Sequence, residues 1–165
     1  MKKTIRFTVT AAMIAAIYAV LTVAISPIAF GPMQLRISEA MILFAAVTPA
    51  AIPGLTIGCA LANLSSPYGL LDILGGASAS LLAAVFAYLV RNIRIKNIPW
   101  LAPLGAVLFN GLIVGMVIKI TSGSEVLYWA VAGEIALGEI ASCYLLGIPL
   151  WLAMEKSGLN RRLSK

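Results

Sequence analysis

Two charged side chains interrupt a long apolar stretch near the start of the sequence. Arg36 and Glu39 are the only charged residues between Phe7 and Leu71. A charge beside hydrocarbon is costly, so it most often marks a substrate path, an ion relay or an ion pair. Their spacing of three residues places both on one face of a helix that begins close to Arg36. We therefore expect ligand recognition here, with Arg36 either contacting the ligand or holding Glu39 as an ion-pair partner.

The last apolar stretch carries two further carboxylates. Glu134 and Glu139 each follow a glycine. Their spacing separates them by about 140° around a helix, so they do not share one face. An unpaired carboxylate inside a membrane is protonated, or binds a cation or an N–H donor. Two interpretations stay open: a hydrogen bond to a neighbouring helix, or a ligand contact at one of the two carboxylates.

Three more polar side chains complete the set of candidate binding residues. Asn110 lies inside an apolar stretch, where it either faces the same cavity or bonds a neighbouring helix, and Asn63 and Asp72 flank a short connection. The candidate substrate-binding residues are Arg36, Glu39, Asn63, Asp72, Asn110, Glu134 and Glu139.

The composition requires a membrane to surround these residues. The chain is 61% hydrophobic and 11% charged, and its mean hydropathy is +1.01. A soluble domain has about a quarter of its residues charged, so most of this surface must face lipid. A chain of 165 residues has room for one transmembrane domain, residues 1–165, with about six segments of ~20 residues. The basic residues lie in short clusters at segment ends, which argues against nucleic acid as a partner.

The number of helices depends on two prolines. The apolar runs are 7–30, 40–62, 72–90, 98–118 and 126–154, and Pro49 and Pro53 break the second of them. Splitting that run into 36–48 and 52–64 gives an all-α integral membrane protein with six transmembrane helices and both termini cytoplasmic. This topology puts every basic cluster on the cytoplasmic side, as the positive-inside rule expects. The clusters are Lys2, Lys3 and Arg6, then Arg91, Arg94 and Lys96, then Lys156, Arg161, Arg162 and Lys165.

The same division predicts where the polar groups lie. The two short helices are under-length for a bilayer, so either the membrane thins locally or their outer ends leave a recess. A recess lined by polar groups suits a polar ligand. The residues at this outer edge are Arg36, Glu39, Asn63, Asp72, Lys119 and Glu125.

Small residues at four-residue spacing predict close helix contacts. On the first helix an alanine face is a candidate docking surface for a separate helical partner, with packing inside the bundle as the alternative. Similar stripes on the fourth and fifth helices are interpreted as packing within the bundle. The candidate partner-docking residues are Ala11, Ala12, Ala15, Ala16 and Ala19.

The sequence carries no catalytic motif. It has no histidine, no nucleophile elbow, no glycine-rich phosphate loop and no metal-ligand spacing, so we expect neither an enzyme nor a cofactor or metal. Active transport would then draw its energy from another subunit or from an ion gradient.

Five stretches of the sequence resemble the QueT family of queuosine precursor transporters. They are residues 27–40, 48–63, 69–72, 138–139 and 146–150, in order along nearly the whole chain. The resemblance implies the substrate-binding (S) component of an energy-coupling factor (ECF) transporter in a bacterial cell membrane. Such a component has six helices, binds a micronutrient from outside, and docks through an alanine-rich first helix onto a transmembrane coupling subunit bearing two ATPase subunits.

The resemblance further implies a deazaguanine ligand such as aminomethyl-deazaguanine or queuine. A guanine-like edge presents two N–H donors that one carboxylate accepts, and an aminomethyl cation suits a second carboxylate. Asn63 would contact the ring carbonyl. Two alternatives remain: a stand-alone proton-coupled carrier using Glu134 or Glu139, and a structural membrane subunit without a ligand.

Overall fold

The computed structural model of the protein describes residues 2–123 and 125–163, and these residues form helices joined by turns. Lys165, from the third basic cluster, lies outside the described residues. The helical elements are Lys2–Ala24, Ser26–Ala29, Ile37–Ala46, Ala51–Ala62, Asn63–Ser65, Leu70–Leu89, Ala102–Phe109, Asn110–Val114, Gly115–Ser122, Tyr128–Ile140, Ala141–Leu146, Gly147–Lys156 and Leu159–Leu163.

Several of these elements join end to end, and the longer segments are numbered here in chain order. Helix 1 is Lys2–Ala24, helix 2 is Ile37–Ala46, helix 3 is Ala51–Ala62, helix 4 is Leu70–Leu89, helix 5 is Ala102–Ser122 and helix 6 is Tyr128–Lys156. Helices 1, 4, 5 and 6 are long and apolar enough to cross a membrane, by length and composition, whereas helices 2 and 3 are shorter apolar helices. The all-helical fold is confirmed; the count of six spans and the side of each terminus remain predictions.

The break between helices 2 and 3 lies where the two prolines predict it. A turn at Thr48–Pro49 separates them, and the Thr48 hydroxyl accepts a hydrogen bond from the Ala50 amide at 3.4 Å. Pro53 occupies the first turn of helix 3, where its missing N–H leaves no hydrogen bond unmade. The first helix begins at Lys2, before the predicted run 7–30, and ends at Ala24, six residues before the end of that run, because Pro27 follows.

Helix 2 differs in type from the α-helix that the sequence predicts. It is a 3-10 helix of ten residues, of which eight are buried. Its rise of about 2.0 Å per residue makes it about 20 Å long, against about 15 Å for an α-helix of the same residues. Glu39 lies in its first turn. Helix 2 is therefore a central element of the bundle, and it places an acidic side chain inside.

Glycines of helix 3 bring helix 1 into backbone contact. A Cβ added at Gly54 would lie 2.9 Å from the Ala11 carbonyl oxygen, and one at Gly58 would lie 2.9 Å from that of Ala15. Small residues on both sides allow this approach in lipid. Ala11 and Ala15 are consequently buried inside the fold. The alanines of this face that are exposed or partly exposed are Ala12, Ala16 and Ala19.

The other small-residue stripes pack inside the bundle, as predicted. Ala79, Ala83 and Ala87 of helix 4 are fully buried. Gly111 and Gly115 of helix 5 face helix 6, where an added Cβ would meet Ala132 or Ala136 at 3.1 to 3.4 Å. These contacts fix the rotation of helix 6 and thereby decide which of its carboxylates points inward.

Candidate ligand-binding site

A cluster of buried polar side chains lies far from the basic end of helix 1. Tyr18, which belongs to it, is about 24 Å along that helix from Lys2, at about 1.5 Å per residue. The chain brings charged residues of three different helices and one loop into this cluster. Its four charged members are Arg36, Glu39, Asp72 and Glu139, and each is at most 2% exposed.

Two carboxylates from different helices form the centre of the cluster. One oxygen each of Glu39 and Glu139 and the Cys143 sulfur all lie within 4.8 Å of one another. The Tyr18 hydroxyl donates a hydrogen bond to Glu39. The Asn110 amide donates to Glu139 at 2.7 Å. Helices 1, 2, 5 and 6 thus converge on a facing pair of carboxylates.

A facing pair of buried carboxyl groups needs a shared proton, a positive charge or hydrogen-bond donors between them, because two anions this close repel each other. A bound cation, or a ligand with several N–H donors, would relieve this repulsion. Among the described residues, the group whose side chains could hold a metal ion includes both carboxylates: it is Glu39, Glu139 and Cys143. Hydrogen bonds from Tyr18 and Asn110 already reach these carboxylates, so the pair also accepts O–H and N–H donors. The arrangement can therefore hold either a cation or a polyatomic ligand with several N–H donors.

Arg36 connects the carboxylate pair to the start of helix 4. Its guanidinium lies 3.9 Å from Asp72 and donates to the Gln34 side-chain oxygen at 2.5 Å. Its charge lies 5.2 Å from the centre of the Phe30 ring. The Ser66 hydroxyl donates to Asp72 at 2.5 Å. Among the described residues the ion pair of Arg36 is therefore with Asp72, so the hypothesis of an Arg36–Glu39 pair is wrong here.

Several buried polar atoms of the cluster have no hydrogen-bond partner among the described residues. They include the Gln34 side-chain nitrogen and one side-chain oxygen each of Asn63 and Asp72. Such orphans are uncommon in folded proteins and point to a missing water or ligand. The Asn63 nitrogen already donates to the Asp72 backbone carbonyl at 2.7 Å. As placed, Asn63 therefore offers an acceptor, and Gln34 offers the amide donor that we expected of Asn63.

The cluster contains three carboxyl groups and one guanidinium, so its net charge is negative when all three carboxyl groups are ionised. Its edge includes Tyr68, in the connection before helix 4, whose pKa is raised by partial burial and next by the negative charge of Asp72. Tyr68 therefore stays a neutral phenol at physiological pH. A ligand with positive charge complements this set best.

The loop before helix 2 is pressed against helix 6. Gln34 has a left-handed backbone, with φ of 45°, which costs energy for a residue other than glycine. A side chain on Gly138 would overlap the Met33 carbonyl oxygen, so only glycine fits there. This contact carries Gln34 and Arg36 into the cluster beside Glu139.

The structure separates the predicted residues into two groups. It brings together Arg36, Glu39, Asn63, Asp72, Asn110 and Glu139, and it leaves Glu134 exposed on the outer face of helix 6. Lys119 and Glu125 lie outside the cluster, near the connection between helices 5 and 6.

Three residues of the cluster were missed at the level of sequence. Tyr18 is a polar aromatic residue on an alanine face, which is a signal that could have identified it. Gln34 stands two residues before Arg36 in a polar loop. Cys143 follows Glu139 by one helical turn, a spacing that places both on one face.

Comparisons with known proteins agree along most of the chain. A family model described as "QueT transporter" matches residues 8–156. The chain is 28% identical over 145 residues to "Queuosine precursor transporter QueT" of Lactococcus lactis subsp. cremoris (strain MG1363), covering 83% of this chain and 85% of that relative. No solved structure matches the chain.

Proposed function

Because this chain belongs to the QueT transporter family, we propose that it is a substrate-binding membrane component that imports a queuosine precursor of the deazaguanine class. The ligand occupies the buried polar cluster described above. The observation that carries the proposal is the facing pair of Glu39 and Glu139, held by donors from helices 1 and 5.

The chemistry of a deazaguanine matches this pair. Its guanine-like edge carries adjacent N–H donors, which a carboxylate accepts in a two-pronged hydrogen bond. The aminomethyl form adds a cation, which would offset the negative balance of three carboxylates against Arg36. One of Glu39 and Glu139 takes the ring edge and the other takes the cation.

The unpartnered atoms of the cluster take the rest of the ligand. The Gln34 amide nitrogen donates to the ring carbonyl, and the Asn63 and Asp72 oxygens accept the remaining N–H groups. Arg36 is then a positioning residue, since it holds both Gln34 and Asp72. Burial of this network makes each hydrogen bond selective, because a ligand lacking the group leaves a buried partner unsatisfied.

We further propose that energy comes from an ECF-type coupling subunit and two ATPase subunits. The chain itself carries no nucleotide-binding motif. The accessible alanines of helix 1, Ala12 and Ala16, with Ala19 beside them, offer a flat surface for a partner helix. Ala11 and Ala15 serve the contact with helix 3 instead.

Ligand binding to the purified protein tests the site. Calorimetric titration with aminomethyl-deazaguanine is expected to show binding that Glu39→Gln and Glu139→Gln each weaken about ten-fold or more, since each loses a charge-assisted hydrogen bond. Glu134→Gln is the matched control, because it removes a carboxylate from the same helix outside the cluster. Unchanged affinity in both cluster variants would show that the ligand binds elsewhere.

Uptake into proteoliposomes tests the source of energy. With the coupling subunit and ATPases present, uptake of the labelled ligand should require ATP. Uptake by the chain alone, driven by a proton gradient, would instead establish the carrier alternative. Absence of any binding or uptake would favour a structural subunit.

A further inference from the structure

A second polar site lies at the opposite end of the bundle, outside the cluster. A cavity of about 340 Å³ opens between the end of helix 2, the turn after helix 4 and the C-terminal helices. It lies at the basic end of the molecule, where Arg6 of helix 1 donates to the Arg162 carbonyl. Its lining residues are Ala46, Val47, Arg91, Asn92, Arg94, Trp151 and Asn160.

Two guanidinium groups of this cavity are held in place by aromatic rings. The Arg91 charge lies 3.8 Å from the centre of the Tyr88 ring, and the Arg94 charge lies 5.4 Å from that of Trp151. Trp151 is itself fixed, since it is buried and donates to the Asn97 carbonyl at 3.2 Å. Cation–π contacts position both charges without neutralising them.

The hydrogen bonds of the two arginines leave most of their donors for a ligand. Arg91 donates to the Tyr88 carbonyl at 2.7 Å, and Arg94 donates to the Arg91 carbonyl at 2.9 Å. Each guanidinium has five N–H donors. Across residues 2–123 and 125–163, the ion pair found is that of Arg36 with Asp72, so no carboxylate of this part of the chain pairs with Arg91 or Arg94.

The other groups of the cavity narrow the class of ligand. An anion with several oxygens matches two planar guanidinium forks, and phosphate is the common biological case. Asn160 contributes a buried side-chain oxygen without a partner among the described residues, which a hydroxyl on the ligand would satisfy. Leu89 and Ile93, which flank Arg91 in sequence, are largely exposed and suit contact with acyl chains.

We infer that this cavity binds the phosphate of an anionic ligand, with the Arg91 and Arg94 guanidiniums on the phosphate and Asn160 on a hydroxyl. The headgroup of phosphatidylglycerol carries both groups and comes with acyl chains for the exposed apolar rim. Basic pockets between helices at a membrane surface are suited to anionic headgroups.

Thermal unfolding of the purified protein in a neutral detergent tests this site. Short-chain phosphatidylglycerol is expected to raise the unfolding temperature in a saturable manner, while short-chain phosphatidylcholine is not. Inorganic phosphate forms a third arm: a comparable rise with phosphate would identify a free phosphate compound as the ligand class. Equal responses to phosphatidylglycerol and phosphatidylcholine, with no response to phosphate, would overturn the proposal.

Substitutions of the two cavity arginines test whether the response to phosphatidylglycerol comes from this cavity. Arg91→Gln/Arg94→Gln should weaken the apparent affinity for phosphatidylglycerol about ten-fold or more. Lys3→Gln/Lys156→Gln is the matched control, because it removes two charges from the same end outside the cavity. Arg91→Lys/Arg94→Lys keeps the charge and should bind with intermediate affinity, which keeps the test valid if the glutamine variant fails to fold. An equal loss in the control and cavity variants would show general charge attraction and refute the site.

Discussion

The buried polar cluster and the cavity of Arg91 and Arg94, at opposite ends of the bundle, hold their charged side chains in opposite ways. In the cluster, Arg36 lies against an aspartate and Glu39 accepts from a tyrosine, so charges are fixed by polar partners from several helices. In the cavity, Arg91 and Arg94 are fixed by ring faces and backbone carbonyls, and they keep their charge available. We therefore expect the free energy of unfolding to fall when any hydrogen-bonding or ionic partner in the cluster is lost. Side chains of the cavity should matter mainly for binding its ligand.

Removal of one arginine from each end should give the largest contrast. Arg36→Gln leaves the buried Asp72 without its cation and is expected to lower the free energy of unfolding by about 3–5 kcal/mol. Arg94→Gln, at the exposed end, should change it by no more than about 0.5 kcal/mol. Unfolding in mixed detergent and SDS micelles measures both.

A partial recovery in the double variant Arg36→Gln/Asp72→Asn would attribute the loss to the unpaired carboxylate. Equal effects of the two single arginine substitutions would contradict the difference between the two ends.

A methyl group placed at the tight contact of the cluster should give the next largest effect. Gly138→Ala forces a Cβ into the Met33 carbonyl and is expected to cost about 1–3 kcal/mol of stability, together with ligand affinity. Gly133→Ala is its control on the same helix, since nothing lies within 4 Å of the added Cβ. The control should be neutral or gain up to about 1 kcal/mol from better helix propensity.

Thermal unfolding and ligand titration of these two glycine variants check the contact. If both variants behave alike, the loop at residues 31–36 is not held by helix 6.

Loss of one phenolic hydroxyl inside the cluster and of one outside it should give the smallest contrast. Tyr18→Phe removes a donor to a buried carboxylate and should cost about 1.5–3 kcal/mol. Tyr144→Phe removes a hydrogen bond of 3.0 Å to the Trp100 carbonyl, a neutral acceptor, and should cost about 1 kcal/mol or less. Unfolding measurements of the two variants would contradict the comparison if Tyr144→Phe had the larger effect.

The sequence predicted most members of the cluster because polar residues stand out in an apolar chain. It also predicted that Glu134 and Glu139 point to different sides. It could not say which of them points inward, because that depends on how Gly111 and Gly115 set helix 6 against helix 5. Side-chain periodicity gives the angle between two residues but not the absolute rotation of their helix.

The partner of Arg36 was also beyond the sequence. The spacing of Arg36 and Glu39 suggested a local pair, but Asp72 competes from the start of another helix. The split at Pro49 and Pro53 was predictable, since proline acts on the backbone locally. The 3-10 form of helix 2 was not predictable. The choice between a 3-10 helix and an α-helix depends more on tertiary packing than on the preferences of the residues.

Because helix 2 is a 3-10 helix, we expect it to tolerate insertions and deletions poorly. In a 3-10 helix, each residue turns the chain by about 120°, and side chains three apart lie directly in line. Deleting one residue between Glu39 and the turn at Thr48 would swing the glutamate by a third of a circle, away from Tyr18. Rewinding the ten residues as an α-helix would shorten them by about 5 Å. The rise and twist of helix 2 thus set both how deep Glu39 lies in the bundle and the direction in which its side chain points.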